Sequence, residues 1–73
     1  MYIITIYDHD SPTVINWGAA SQEAALGLAE QLILTYTDIK EEYKKEHMDA
    51  LLLYGITYDV CSNTTISIGR LLD

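Results

Sequence analysis

The chain has 73 residues, eleven carboxylates against four Lys and Arg side chains, and a formal charge of −7 at neutral pH. That length supports a single domain, residues 1–73, and its 49% apolar content is that of a globular chain rather than a disordered one. The one Cys excludes an internal disulfide, and the acid excess disfavours direct contact with nucleic acid or an anionic membrane while favouring a basic protein surface.

Met1 to Tyr7 has no basic flank and runs at once into Asp8, which is not a signal-peptide pattern. The longest unbroken apolar run, Ala50 to Tyr54, is far short of the roughly 20 residues that span a membrane. A cytoplasmic protein in a reducing compartment is expected. The aromatics are six Tyr and one Trp with no Phe, side chains that tolerate half-buried positions because their polar atoms can stay wet.

Residues 2–7 alternate β-branched and aromatic side chains with others, a strand pattern. Asp8-His9-Asp10-Ser11-Pro12 is dense in turn formers, and Thr13 to Trp17 reads as a return strand stopped by Gly18, so a β-hairpin is predicted. Ser21 is a helix N-cap candidate, followed by Gln22 and Glu23; Ala24 leaves the capping box incomplete. At about 100° per residue, Ala25, Leu28, Ala29, Leu32, Tyr36, Ile39 and Tyr43 share one arc. That phase persists through the weak helix formers Thr35-Tyr36-Thr37-Asp38, which favours one long helix from Ser21 to about His47, with Thr37 the place for any bend, over two short helices. A Glu41–Lys45 pair at i,i+4 is expected on it.

Leu51, Leu52 and Leu53 point three ways on a helix. The segment 49–55 is read as a strand in preference to a helix that continues to a Gly55 cap. Ile56, Tyr58 and Val60 alternate with Thr57 and Asp59, Cys61-Ser62-Asn63 makes a turn, and Ile66 and Ile68 alternate with Thr65 and Ser67, a second hairpin. Leu71 and Leu72 are candidates to extend it opposite Leu51 to Leu53. The expected fold is α+β, an antiparallel sheet of about four strands in two hairpins packed on one long helix, in the order ββαββ.

Chemistry is sparsely signalled. Asp8, His9 and Asp10 are the most metal-like cluster, but the calcium-loop pattern fails where Thr13 and Ala19 stand, and a turn is the expected reading. His47 has no second His at i±4 and reads as a partly exposed residue near a helix end. Cys61, flanked by Val60 and Ser62 with Asp59 nearby, reads as a small semi-buried side chain rather than an activated nucleophile. No catalytic residue, metal or cofactor is predicted, and the chain is not read as an enzyme.

One constellation stands out. On the helical wheel Glu23, Glu30 and Glu41 fall within about 20° of each other, opposite the apolar stripe, with Asp38 about 60° away and Leu34 in their midst. The plain reading is a solvated face with a stray leucine. The functional reading is a contact surface, Leu34 as apolar anchor and Glu23, Glu30, Asp38 and Glu41 as charged surround. In size and charge the chain resembles the small inhibitors that phages direct at host defence, including anti-CRISPR and anti-restriction proteins. That resemblance is one of type and rests on no motif. It implies a non-enzymatic binding module that blocks the basic groove of a nucleic-acid-handling enzyme. The alternative is a homo-oligomeric accessory or structural protein, with a homodimer that joins sheet edges or covers Leu34.

Overall fold

A computed structural model describes residues 1–71. Its elements are β1 (Tyr2–Asp8), β2 (Thr13–Ala19), α1 (Gln22–Tyr36), α2 (Glu41–Tyr54), β3 (Ile56–Asp59) and β4 (Thr64–Arg70), in the order ββααββ. The four strands form one antiparallel sheet in the spatial order β2-β1-β4-β3, so the first and last long strands meet at its centre. Both helices cover one face, α1 across β1 and β2, α2 across β3 and β4.

The strand period of two decides what each face carries. Ile4 and Ile6 of β1 lie opposite Ile68 and Ile66 of β4, and these point at the helices. Ile4, Ile6 and Ile66 close a core with Ala25, Ala29, Leu32 and Ile33 of α1, Ile39 of the interhelical link and Leu51 of α2. The other face is open to solvent. It presents Ile3, Thr5 and Tyr7 of β1, Val14, Asn16 and Gly18 of β2, Thr65, Ser67 and Gly69 of β4, and Ile56 and Tyr58 of β3; none is charged. Antiparallel sheets commonly leave one face solvated in this way.

The single long helix is corrected to two. Helix α1 ends at Tyr36, and α2 starts at Glu41 after an extended link. The cause lies in Thr37, whose backbone turns extended (φ −128°, ψ 170°). Its N–H and its hydroxyl both donate to the Ile33 carbonyl, at 3.1 and 2.6 Å, and so close the helix. The amides freed by the break are captured: Ile39 N–H donates to Thr37 Oγ1 at 3.2 Å and Asp38 N–H to Asp59 Oδ2 at 3.1 Å. Thr and Asp readily offer the backbone such alternatives to helix. The apolar phase survives because Ile39 plugs the core from the link, whereas Tyr36 and Tyr43, assigned to the stripe, are exposed.

The segment 49–55 is helical, not a strand. Leu51 faces the core while Leu52, Leu53 and Tyr54 are exposed, and Gly55 ends α2 in the left-handed conformation (φ 74°) with its N–H on the Leu51 carbonyl at 3.0 Å. The predicted order ββαββ fails for the same two reasons. Strand β2 also runs through Gly18 to Ala19 rather than stopping there. Leu71 lies beyond β4, its N–H on the Met1 carbonyl, while the predicted extension at Leu72 lies outside the described residues. Strand β3 inverts the expected facing: Thr57 and Asp59 are buried and Ile56 and Tyr58 exposed, because the buried pair finds polar partners beneath the helices.

Candidate functional site

The outer surface of the helix layer holds the acidic residues singled out above, distributed differently from a single helical line. Ser21 caps α1, its Oγ accepting from the Ala24 N–H at 3.1 Å, and Glu23 sits in the first turn where the helix dipole favours a carboxylate. Glu23, Glu30 and Leu34 share the outer side of α1, and Leu34 is 47% exposed. Asp38 lies in the link and Glu41 in the first turn of α2. The break therefore places Glu41 on a second helix, beside Glu30 rather than beyond it.

Lys44 brings those two together. Its Nζ lies 2.9 Å from Glu30 Oε1 and 2.7 Å from Glu41 Oε1, a bridge from α1 to α2. Hydrogen bonding to Glu41 first, and to Glu30 next, holds the Lys44 ammonium above the ordinary lysine value. Sequence reasoning missed Lys44 because the i,i+3 spacing from Glu41 competes with the i,i+4 spacing to Lys45, and the Glu30 contact exists only once the chain folds back. Lys45 instead approaches Asp49 at 3.7 Å. The helix layer and its link together carry Glu23, Glu30, Asp38, Glu41, Glu42, Glu46 and Asp49 against Lys40, Lys44 and Lys45.

A cleft of about 200 Å³ opens where the link meets β3, lined by Asp38, Ile39, Lys40, Tyr43, His47, Asp59 and Cys61. It gathers a thiol, an imidazole and a carboxylate, yet each side chain with a resolved partner has a structural task. Asp59, 6% exposed, accepts from the Asp38 N–H, the Cys61 N–H, the Ser62 N–H and the Ser62 hydroxyl. Burial is the largest single influence on this carboxyl and pushes its pKa up. The Ser62 hydroxyl and the three amides together outweigh burial, so Asp59 titrates below the ordinary aspartate value. His47 is not at a helix end but in the middle of α2, half-buried, with Nδ1 2.7 Å from Thr57 Oγ1. Cys61 is exposed on the β3–β4 turn rather than semi-buried.

Asp8, His9 and Asp10 diverge. Asp8 Oδ1 accepts from the Asp10 and Ser11 N–H groups, an Asx turn, and Asp10 Oδ1 accepts from Asn63 Nδ2 at 2.9 Å. His9 turns to the open sheet face, its Nε2 2.7 Å from Thr65 Oγ1 and its ring edge-on to Tyr7 and Tyr58. Among the described residues no group of three His, Cys, Asp or Glu side chains is placed to share a metal ion. Nor, among them, is any helix long and apolar enough to cross a membrane. No protein-family model, curated protein or solved structure matches the chain.

Proposed function

We propose that the protein is a small non-enzymatic binding module that docks its acidic helix layer on a basic surface of a partner protein. The observation that carries this reading is the segregation of charge. The helix layer and its link carry seven carboxylates against Lys40, Lys44 and Lys45, while among the described residues the open sheet face presents no charged side chain. Such one-sided fields steer a molecule by one face and fix its orientation before contact. Leu34, exposed one turn beyond Glu30 on the same side of α1, supplies the apolar anchor that a purely electrostatic contact lacks.

A partner with a cationic groove suits this layer best, and proteins that handle nucleic acid have one. Filling that groove blocks the substrate competitively, the mode of phage-type anti-CRISPR and anti-restriction inhibitors. The test is affinity capture from the native host with nuclease present, using the wild type and a Glu23→Lys, Glu30→Lys, Glu41→Lys variant. Capture of a basic protein by the wild type at low salt, lost in the variant and in high salt, supports the reading. Equal capture by both proteins refutes it.

A further inference from the structure

The two sheet edges are defended differently. Strand β3 is four residues long, a short edge of the kind that resists pairing. Strand β2, Thr-Val-Ile-Asn-Trp-Gly-Ala, is seven residues long, pairs with β1 without a bulge, and has no Pro and no charge. The common protections of an edge strand are missing from it.

The bonds flanking the sheet show which of its amides are free. His9 N–H donates to the Asn63 carbonyl and Leu71 N–H to the Met1 carbonyl, so the odd-numbered residues of β1 point their backbone groups at β4. The even-numbered ones, Tyr2, Ile4, Ile6 and Asp8, then bond to Ala19, Trp17, Ile15 and Thr13 of β2. Val14, Asn16 and Gly18 are left with their N–H and C=O groups directed outward.

We infer that β2 is a homodimer interface, in which two copies join edge to edge about a two-fold axis at Asn16 and form one continuous eight-stranded sheet. In that register Asn16 faces its own copy and Val14 of each copy faces Gly18 of the other. All three outward residues of both strands then exchange their hydrogen bonds. Ile15 of each copy lies across from Trp17 of the other on the helix side, an aromatic and β-branched cross-strand pair. This accounts for Trp17, which points to the helix side yet is 40% exposed in one copy.

Charge selects a second copy as the occupant. A −7 chain repels itself wherever its acids meet, and this edge is free of them. The Glu30–Lys44 contact fixes the flank of α1 that faces α2. The opposite flank, above the β2 edge, carries Ala24, Leu28, Gln31 and Thr35, about 100–160° from Glu30 on the wheel and all uncharged. The open sheet face is also uncharged, but its polar side chains are satisfied within the sheet, by Thr5–Asn16 and His9–Thr65 hydrogen bonds. The seven residues of β2 extend about 23 Å. An edge-to-edge contact of this length falls at the small end of specific interfaces, that of a reversible rather than a permanent dimer.

Sedimentation velocity on the full chain tests this between 5 and about 200 μM, in about 0.05 and 0.5 M NaCl, with Val14→Pro and Asn16→Pro at the edge and Ile56→Lys on the far strand. A proline here removes an outward donor and leaves the β1 ladder intact. The wild type and Ile56→Lys dimerise, salt strengthens the dimer by screening, and both proline variants weaken it at least tenfold with unchanged circular dichroism. Wild-type Trp17 emission moves to the blue as concentration rises, a readout that needs no variant. A monomer throughout, an invariant emission, a dimer indifferent to both folded proline variants, or one abolished by Ile56→Lys overturns the inference.

Discussion

Replacing Asp59 by Ala removes one acceptor from four donors at once: the amides of Asp38, Cys61 and Ser62 and the Ser62 hydroxyl. Those donors belong to the interhelical link and the β3–β4 turn, so one carboxylate ties two distant connections together. Hydrogen bonds to a charged group contribute about 1.5–3 kcal/mol each, but turn amides near the surface regain water when released. Counting one to two bonds as truly lost gives about 1.5–6 kcal/mol. A chain of this length has about 4–11 kcal/mol in total, so Asp59→Ala removes a large fraction of its stability. Asp59→Asn keeps the shape and one acceptor oxygen and costs about 1–3 kcal/mol. Because the native carboxyl titrates below its unfolded value, its contribution is fully present above about pH 4 and is lost as pH falls through the native value. Urea unfolding followed by far-ultraviolet circular dichroism, from pH 7 down to about pH 2.5, measures both effects. The gap between wild type and Asp59→Asn is expected to be constant above pH 5 and to close in acid. A gap under about 0.5 kcal/mol at pH 7, or one unchanged in acid, refutes the assignment of Asp59 as an ionised anchor.

At Gly55, φ is 74° and an added Cβ would stand 3.2 Å from the Ile68 carbonyl oxygen. Gly55→Ala should therefore cost about 1–3 kcal/mol in thermal unfolding, by backbone strain and close contact. Ser21→Ala removes the side-chain cap of α1 and should cost about 1 kcal/mol, with Ser21→Asp restoring the loss. Lys44→Met removes the Glu30–Glu41 bridge, and the resulting loss of stability should vanish in about 1 M salt, because the bridge is exposed to screening.

The hairpin segments were legible because strand alternation and turn chemistry are local signals: Asp8 to Pro12 and Cys61 to Asn63 hold turn formers where the chain reverses. The helix break was not, since the wheel counts apolar spacing and cannot see that Ile39 reaches the core from an extended link. Thr37 and Asp38 were recognised as weak helix formers, but what makes the break stable is Asp59, twenty-one residues further on. The same long-range partner explains why β3 turns its polar side inward. On the candidate face, Glu23, Glu30 and Leu34 share α1, so their relation follows from helical periodicity. The meeting of Glu30 with Glu41 through Lys44 follows only from the fold-back. The unprotected β2 edge depended on knowing which strand lies outermost, and no local pattern reports that.

The most direct test of the acidic helix layer as the docking surface is amide chemical-shift mapping of this small domain with the basic partner recovered by capture. The account predicts perturbations along the outer side of α1 from Glu23 to Leu34 and in the Asp38–Glu41 connection, weakening as salt rises, with β3 and the open sheet face silent. Perturbations confined to Ile56, Tyr58 and the open face, with Glu23, Glu30 and Glu41 unmoved, would contradict it.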